Sequence, residues 1–244
     1  MIPPIVYTPP NLQELAEKYA SSLGTTATFN EQLIEKPHIY LSQAGLSFFH
    51  PEARSSNSFH IDFNAGSTGW RVKRANHENL IKKALGKSNQ SLNILDCTAG
   101  MLQDTLLFLS LGHQVTALEQ SKILFNLLKD AIRRSKNQTI FKKLELFNIN
   151  SCTFAHHAKS FDVIYFDPMY PSNKKNALSS GKLEYIAKIL ETESIDNDPL
   201  EDFEILQLMP AKKMVVKRPI KAGSFSSKIN YQVLGKTTRF DVYI

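Results

Sequence analysis

Residues 92–104, LNILDCTAGMLQD, decide the fold. A short apolar run ends in Asp96, turns through Thr98-Ala99-Gly100 and leads into an amphipathic stretch. That pattern reads as a strand, a tight turn and a helix. The same alternation continues on either side. Strands are expected at 92–97, 114–119, 144–147, 161–166 and 213–217, and helices near 102–111, 121–135, 182–190 and 200–208. Such alternation argues for a parallel sheet with helices on both faces. INYQVLG (229–235) and TTRFDVYI (237–244), joined by a tight Gly-Lys connection, predict an antiparallel hairpin that closes the sheet edge.

Upstream the rhythm differs. Asn11 with Glu14 three residues on resembles a capping box, and Leu12, Leu15, Ala16, Tyr19 and Leu23 recur on one helical face until Gly24. HIYLSQAGLSFF (38–49) predicts a hairpin, SFHIDF (58–63) a further strand, and Asn76–Leu85 a short helix. The expected division is a small α+β extension over 1–75 and an α/β domain over 76–244.

At 244 residues and 42% hydrophobic, the chain can bury a core and is neither disordered nor collagen-like. No apolar run approaches the roughly 20 residues of a membrane span. The opening MIPPIVYTPP lacks the basic and apolar regions of a secretory signal. Cys97 and Cys152 make neither a disulfide framework nor a zinc set, so a cytoplasmic, reducing location is expected. The adjacent His156-His157 lack a third ligand at useful spacing, and no metal is expected. A net charge of +6 favours polyanionic partners.

Ligands of open α/β sheets bind beyond the C-terminal ends of the strands. Asp96 ends one strand there, Gly100 lets the backbone turn tightly, and Asp104 falls in the first turn of the next helix. Glu119 ends the following strand, at about the 20-residue spacing at which an acid accepts ribose hydroxyls. Dinucleotide folds share this spacing, but they use G-x-G-x-x-G to seat a pyrophosphate. The turn T-A-G-M-L-Q-D has one glycine and an acid. It suits the ammonium and sulfonium end of S-adenosylmethionine (SAM) better. The plain structural alternative is that Asp96 and Asp104 only cap the helix.

FDVIYFDPMYP (161–171) resembles the [DN]-P-P-[YF] pattern of amino-group methyltransferases, with Met169 in the third position. The Asp167 carboxylate and the Pro168 carbonyl can accept the two hydrogens of an exocyclic amine and turn its lone pair towards the methyl donor. Tyr170 offers a ring on which a base can stack.

The chain resembles a more specific family, the RsmJ-type small-subunit rRNA guanine-N2 methyltransferases. The family's D-A-T-A-G-L-G-R-D is D-C-T-A-G-M-L-Q-D here (96–104). Its S-L-G-x-x-V-x-x-L-E-R is SLGHQVTALEQ (110–120), and its D-P-M-F-P is DPMYP (167–171). Its V-V-V-K-R-P is MVVKRP (214–219), and its H-R-F-D-I-Y is TRFDVY (238–243). The resemblance covers roughly residues 58–244. It implies a class I methyltransferase fold with a seven-stranded sheet, SAM as donor, and guanine N2 of 16S rRNA as acceptor, at position 1516 in the family. It also implies donor contacts at Gln103, Asp104, Glu119, Gln120, Asn150 and Ser151, with Asp167 at the reacting end; the strand and turn themselves add Asp96, Thr98 and Gly100. Two departures stand out: Leu102 replaces a glycine and Gln103 an arginine. Adenine N6, a protein amide, or a non-catalytic RNA-binding module are the alternatives. For RNA contact the expected residues are Arg71, Lys73, Lys174, Lys175, Lys217 and Arg218.

Overall fold

The computed structural model describes residues 1–30, 35–53, 58–64, 77–86, 90–156, 160–169 and 181–244. In chain order the first elements are β1 (Ile5–Tyr7), α1 (Gln13–Leu23), β2 (Ala27–Phe29), β3 (His38–Ser42), β4 (Gly45–Phe49), β5 (Phe59–His60) and α2 (Asn79–Leu85). Then come β6 (Asn93–Asp96), α3 (Gln103–Ser110), β7 (Gln114–Leu118), α4 (Lys122–Arg134), β8 (Leu144–Phe147), α5 (Ser151–Ala155) and β9 (Phe161–Phe166). The last are α6 (Gly181–Glu193), α7 (Pro199–Leu206), β10 (Ala211–Pro219), β11 (Tyr231–Leu234) and β12 (Thr238–Tyr243). These segregate into two compact units. One comprises Met1–Asn64, Ser121–Lys136 and Ser172–Asp196; the other comprises Ala65–Gln120, Asn137–Pro171 and Asn197–Ile244. The expected boundary near residue 75 lies outside the described residues.

In the first unit five strands pair in the order β2-β1-β3-β4-β5, with β1 parallel to both its neighbours and β3-β4 a hairpin. The hairpin turns at Gly45, whose φ is +107°, and a Cβ there would run into Asp130 and Arg134. Asp130 is fully buried on α4. Its carboxylate accepts from Tyr19 Oη at 3.0 Å and Leu46 N at 2.7 Å, and pairs with Arg133 and Arg134 at 2.7 Å each. Burial alone would raise its pKa; the Leu46 amide and the two guanidiniums outweigh that and hold it low.

Two local expectations are corrected here. Asn11 does not cap α1: it lies inside a 3₁₀ turn, Pro10–Leu12, and the position before the helix is Leu12, which makes no side-chain cap bond. Prolines at 9 and 10 start that turn early. SFHIDF contributes strand only at Phe59–His60.

In the second unit seven strands pair in the order β11-β12-β10-β9-β6-β7-β8. The strands β6 to β10 run parallel; β12 inserts antiparallel between β10 and β11. β9 is Val- and Ile-centred and almost wholly buried, as a strand covered on both faces must be. Sequence order reverses at β6, which has β7 on one side and β9 on the other. The crevice for a ligand therefore opens at the C-terminal ends of β6 and β9. On β12, Arg239 and Asp241 are two apart and so share a face. Their side chains pair at 2.8 Å in the interior. Arg239 Nη1 also donates to the carbonyls of Pro219, Ile220 and Ala222. The R-F-D segment thus anchors the loop that follows β10.

Candidate active site

The register Asp96↔Tyr165 sets β6 and β9 side by side, and Cys97 N donates to Tyr165 O at 2.9 Å across the pair. Asp167, two residues beyond Tyr165, therefore emerges at the same sheet end as Asp96. Thr98 ties the two loops together: its Oγ1 accepts from Asp167 N at 2.8 Å. The carboxylate of Asp96 in turn accepts from Thr98 N at 3.1 Å and from Thr105 Oγ1 at 2.5 Å. Asp96 is only 2% exposed, and burial pushes its pKa up to about 7 against those two hydrogen bonds.

The turn after β6 is tight. Gly100 has φ +51° and its N–H donates to Glu119 Oε2 at 3.1 Å, so the acid at the end of β7 grips the turn directly. Leu102 also adopts the left-handed conformation, with φ +56°, immediately before α3, and its side chain is fully buried. Glycine takes this conformation without the Cβ clash, whereas leucine carries a steric penalty of about 1–2 kcal/mol there. The backbone thus keeps the shape a glycine would give, and the buried leucine side chain compensates.

Asp104, in the first turn of α3, reaches the centre of the crevice. Its Oδ2 accepts from Tyr165 Oη at 2.7 Å and from Lys217 Nζ at 2.7 Å. The same ammonium lies 2.7 Å from Asp167 Oδ2. Burial opposes the charge on Lys217, but the two carboxylates outweigh it and raise its pKa. Asp167 is pushed up by burial, with Lys217 working against the rise and Asp104 adding to it. Pro168 is buried beside it and Met169 exposed.

After β7 and β8 the remaining expected donor contacts cluster. Asn150 Nδ2 donates to Gln120 Oε1 at 2.9 Å, while Asn150 Oδ1 caps α5 by accepting from Cys152 N and Thr153 N. Ser151 is buried at the start of α5, and Gln103 is half-buried at the start of α3. Tyr170, Arg71, Lys73, Lys174 and Lys175 lie outside the described residues.

Lys217 and Arg218 are the cations expected at RNA phosphate or the target nucleotide. Both side chains make contacts within the protein. Lys217 bridges two carboxylates. Arg218 is 7% exposed, lies 3.8 Å over the Phe225 ring and donates to Gly223 O. Phe225 stacks on Phe203 at 5.3 Å between ring centroids, so this cation shapes the loop after β10. Reading the sequence alone missed Thr105 and Tyr165. Tyr165 was recoverable, because it stands two residues before Asp167 in the extended chain at the end of β9.

Neither cysteine is an activated nucleophile. Cys97 is buried and its thiol pKa pushed well up by that burial. Cys152, also raised by burial, to about 12, donates to Asp202 Oδ1 at 3.0 Å. Among the described residues no cluster of His, Cys, Asp and Glu is arranged to hold a metal. None of the described helices is long and apolar enough to cross a membrane.

Residues 24–244 match the family model described as a putative SAM-dependent methyltransferase. The chain is 33% identical over 213 residues to the ribosomal RNA small subunit methyltransferase J of Francisella tularensis strain SCHU S4, an alignment that spans 84% of this chain and 86% of that protein. It is 35% identical over 190 residues to the protein of the same name from Francisella philomiragia, spanning 75% and 79%. The chain belongs to this family of methyltransferases. The fold agrees with a crystal structure of a SAM-dependent methyltransferase from Neisseria gonorrhoeae, with a TM-score of 0.71 at 23% identity over 99% of this chain and 95% of that one.

The methyltransferase uses SAM, and the crevice fits that donor. SAM carries positive charge at its sulfonium and its α-ammonium. Among the described residues Asp104 and Asp167 both contact the ammonium of Lys217, two carboxylates to one cation, an excess of acid over base that favours a cationic ligand. A pyrophosphate would meet the same acids as repulsion. When bound, SAM supplies an electrophilic methyl group on sulfur.

Proposed function

We propose that the protein transfers a methyl group from SAM to the exocyclic N2 of a guanine in 16S rRNA, at the family position 1516, in the cytoplasm. The observation that carries this reading is Asp167, followed by Pro168 at the end of β9, in the crevice that also holds the SAM-side acids Asp96 and Asp104. An exocyclic amine is a weak nucleophile because its lone pair is delocalised into the ring. Asp167 and the Pro168 carbonyl accept its two hydrogens, which turns the lone pair outward. The Tyr170 ring stacks the base. The amine nitrogen forms the new bond to carbon as the carbon–sulfur bond breaks towards sulfur, and the nitrogen then releases one proton. Such positioning contributes on the order of 7–11 kcal/mol at its ceiling, without a covalent intermediate. Glu119 holds the ribose of the donor, and Gln103, Gln120, Asn150 and Ser151 line its remaining contacts. Contact with the RNA backbone falls to Arg71, Lys73, Lys174 and Lys175. The Francisella relatives named ribosomal RNA small subunit methyltransferase J support the choice of RNA.

The test is methyl transfer from labelled SAM to 16S rRNA, free or in small subunits, with nucleoside mass analysis of the product. N2-methylguanosine is expected. Asp167→Ala should abolish turnover while donor affinity stays within about tenfold, a difference of roughly 1.4 kcal/mol. Label in N6-methyladenosine or in protein would redirect the assignment, and normal turnover in Asp167→Ala would end it.

A further inference from the structure

The ammonium of Lys217 is the feature that the motifs leave unexplained. It sits at the C-terminal part of β10, where the pairing Val216↔Phe166 carries the strand alongside β9 and places Lys217 next to Asp167. One ammonium touches two carboxylates that serve different halves of the reaction: Asp104 on the donor side and Asp167 on the acceptor side, each at 2.7 Å. Tyr165 Oη holds Asp104 from behind at 2.7 Å.

We infer that Lys217 is a positioning residue: it keeps Asp167 ionised, and turned so that one carboxylate oxygen remains for the acceptor amine. The inference rests on the reading of Asp167 given above. Its physical basis is direct. Asp167 faces titratable groups from every described element around it: Asp96 at the end of β6, Asp104 on α3, Tyr165 on β9 and Lys217 on β10. All but Lys217 are acids. Without the cation, two neighbouring carboxyls in a largely buried crevice share a proton, as like charges at close range do. A protonated Asp167 would present an O–H donor to an amine that needs an acceptor. Lys217 Nζ occupies Asp167 Oδ2, and among the described residues Oδ1 has no hydrogen-bond partner. Oδ1 is therefore the oxygen assigned to the amine. The pair also couples the two halves of the site: any shift of α3 moves Asp104, and through Lys217 moves Asp167.

The test compares wild type with Lys217→Met, Lys217→Arg and the double variant Lys217→Met/Asp104→Asn. Two readouts are used. One is the Asp167 carboxyl titration by carbon NMR; the other is kcat against pH at saturating SAM with 16S rRNA. In Lys217→Met the titration midpoint and the acid limb of kcat should both move up by roughly 1–3 pH units, the span an opposite charge at this range controls. Below the displaced limb, turnover should fall by up to about tenfold per unit of displacement relative to wild type, and it should recover as pH rises. Lys217→Arg keeps the charge and should keep the wild-type limb. The double variant removes the competing acid along with the cation, so it should fold and move the limb back towards wild type. An unmoved Asp167 titration, or a loss of turnover equal at every pH, overturns the inference. If the titration moves but wild type does not methylate the RNA, the acceptor assignment fails and the role of Lys217 stands.

Discussion

Asp96→Asn isolates the electrostatic strain built into the crevice. Asp96 is 2% exposed, and burial lifts its pKa from 3.8 to about 7, with Asp104 and Asp167 adding to the rise. The folded protein therefore keeps a proton on this group that the unfolded chain releases between about pH 4 and 7. For a carboxyl raised in this way, stability is fully present below the unfolded pKa and is lost as pH rises through the folded one. The full displacement corresponds to a ceiling of roughly 4 kcal/mol at 1.36 kcal/mol per unit. Asparagine has the same shape and no charge. Its Oδ1 can accept from Thr98 N, and its Nδ2 can donate to Thr105 Oγ1, so both hydrogen bonds at 3.1 and 2.5 Å survive. The expected outcome is a variant more stable than wild type by an amount that grows with pH, by about 2–3 kcal/mol between pH 5 and 8. Urea denaturation of both proteins across that range measures the gap; titrating groups remote from Asp96 cancel in the difference, while Asp104 and Asp167, coupled to it, contribute to the gap. A gap that does not change with pH, or that shrinks as pH rises, would refute the argument.

Two further substitutions probe the turn and the donor side. Leu102→Gly removes a steric penalty of about 1–2 kcal/mol but forfeits a fully buried leucine at about 2–5 kcal/mol, so denaturation should report a net loss of roughly 1–3 kcal/mol; a gain would mean that the side chain does not compensate. Asp104→Asn should weaken SAM binding about tenfold or more in calorimetry, since a hydrogen bond to a charged group contributes about 1.5–3 kcal/mol. An unchanged affinity would remove Asp104 from the donor pocket.

The seven-stranded sheet was legible because its strands are long enough, and its helices periodic enough, for alternation to stand out between 92 and 217. The ends of β6 and β9 were legible too, since Asp96 and Asp167 each terminate an apolar run. β1 and β2 escaped because three residues are too few to display a period. The 3₁₀ turn under Asn11 escaped because a capping box and a proline-started turn share the same residue types. The sequence presents Lys217 as a cation at a strand end, suited to RNA; only the register against β9 reveals that its ammonium meets Asp167. Arg218 carried charge that suggested RNA, yet it is occupied by the loop after β10, through Gly223 and Phe225. Charge is written in the sequence, but which way a cation points is decided by its neighbours across the sheet.

The central claim is that the crevice at β6 and β9 delivers a methyl group to a guanine amine of the small ribosomal RNA. Mass mapping of 16S rRNA from cells with and without this protein tests it most directly. The account predicts that one N2-methylguanosine disappears when the protein is absent and returns with wild type but not with Asp167→Ala. An unchanged N2-methylguanosine pattern would contradict it.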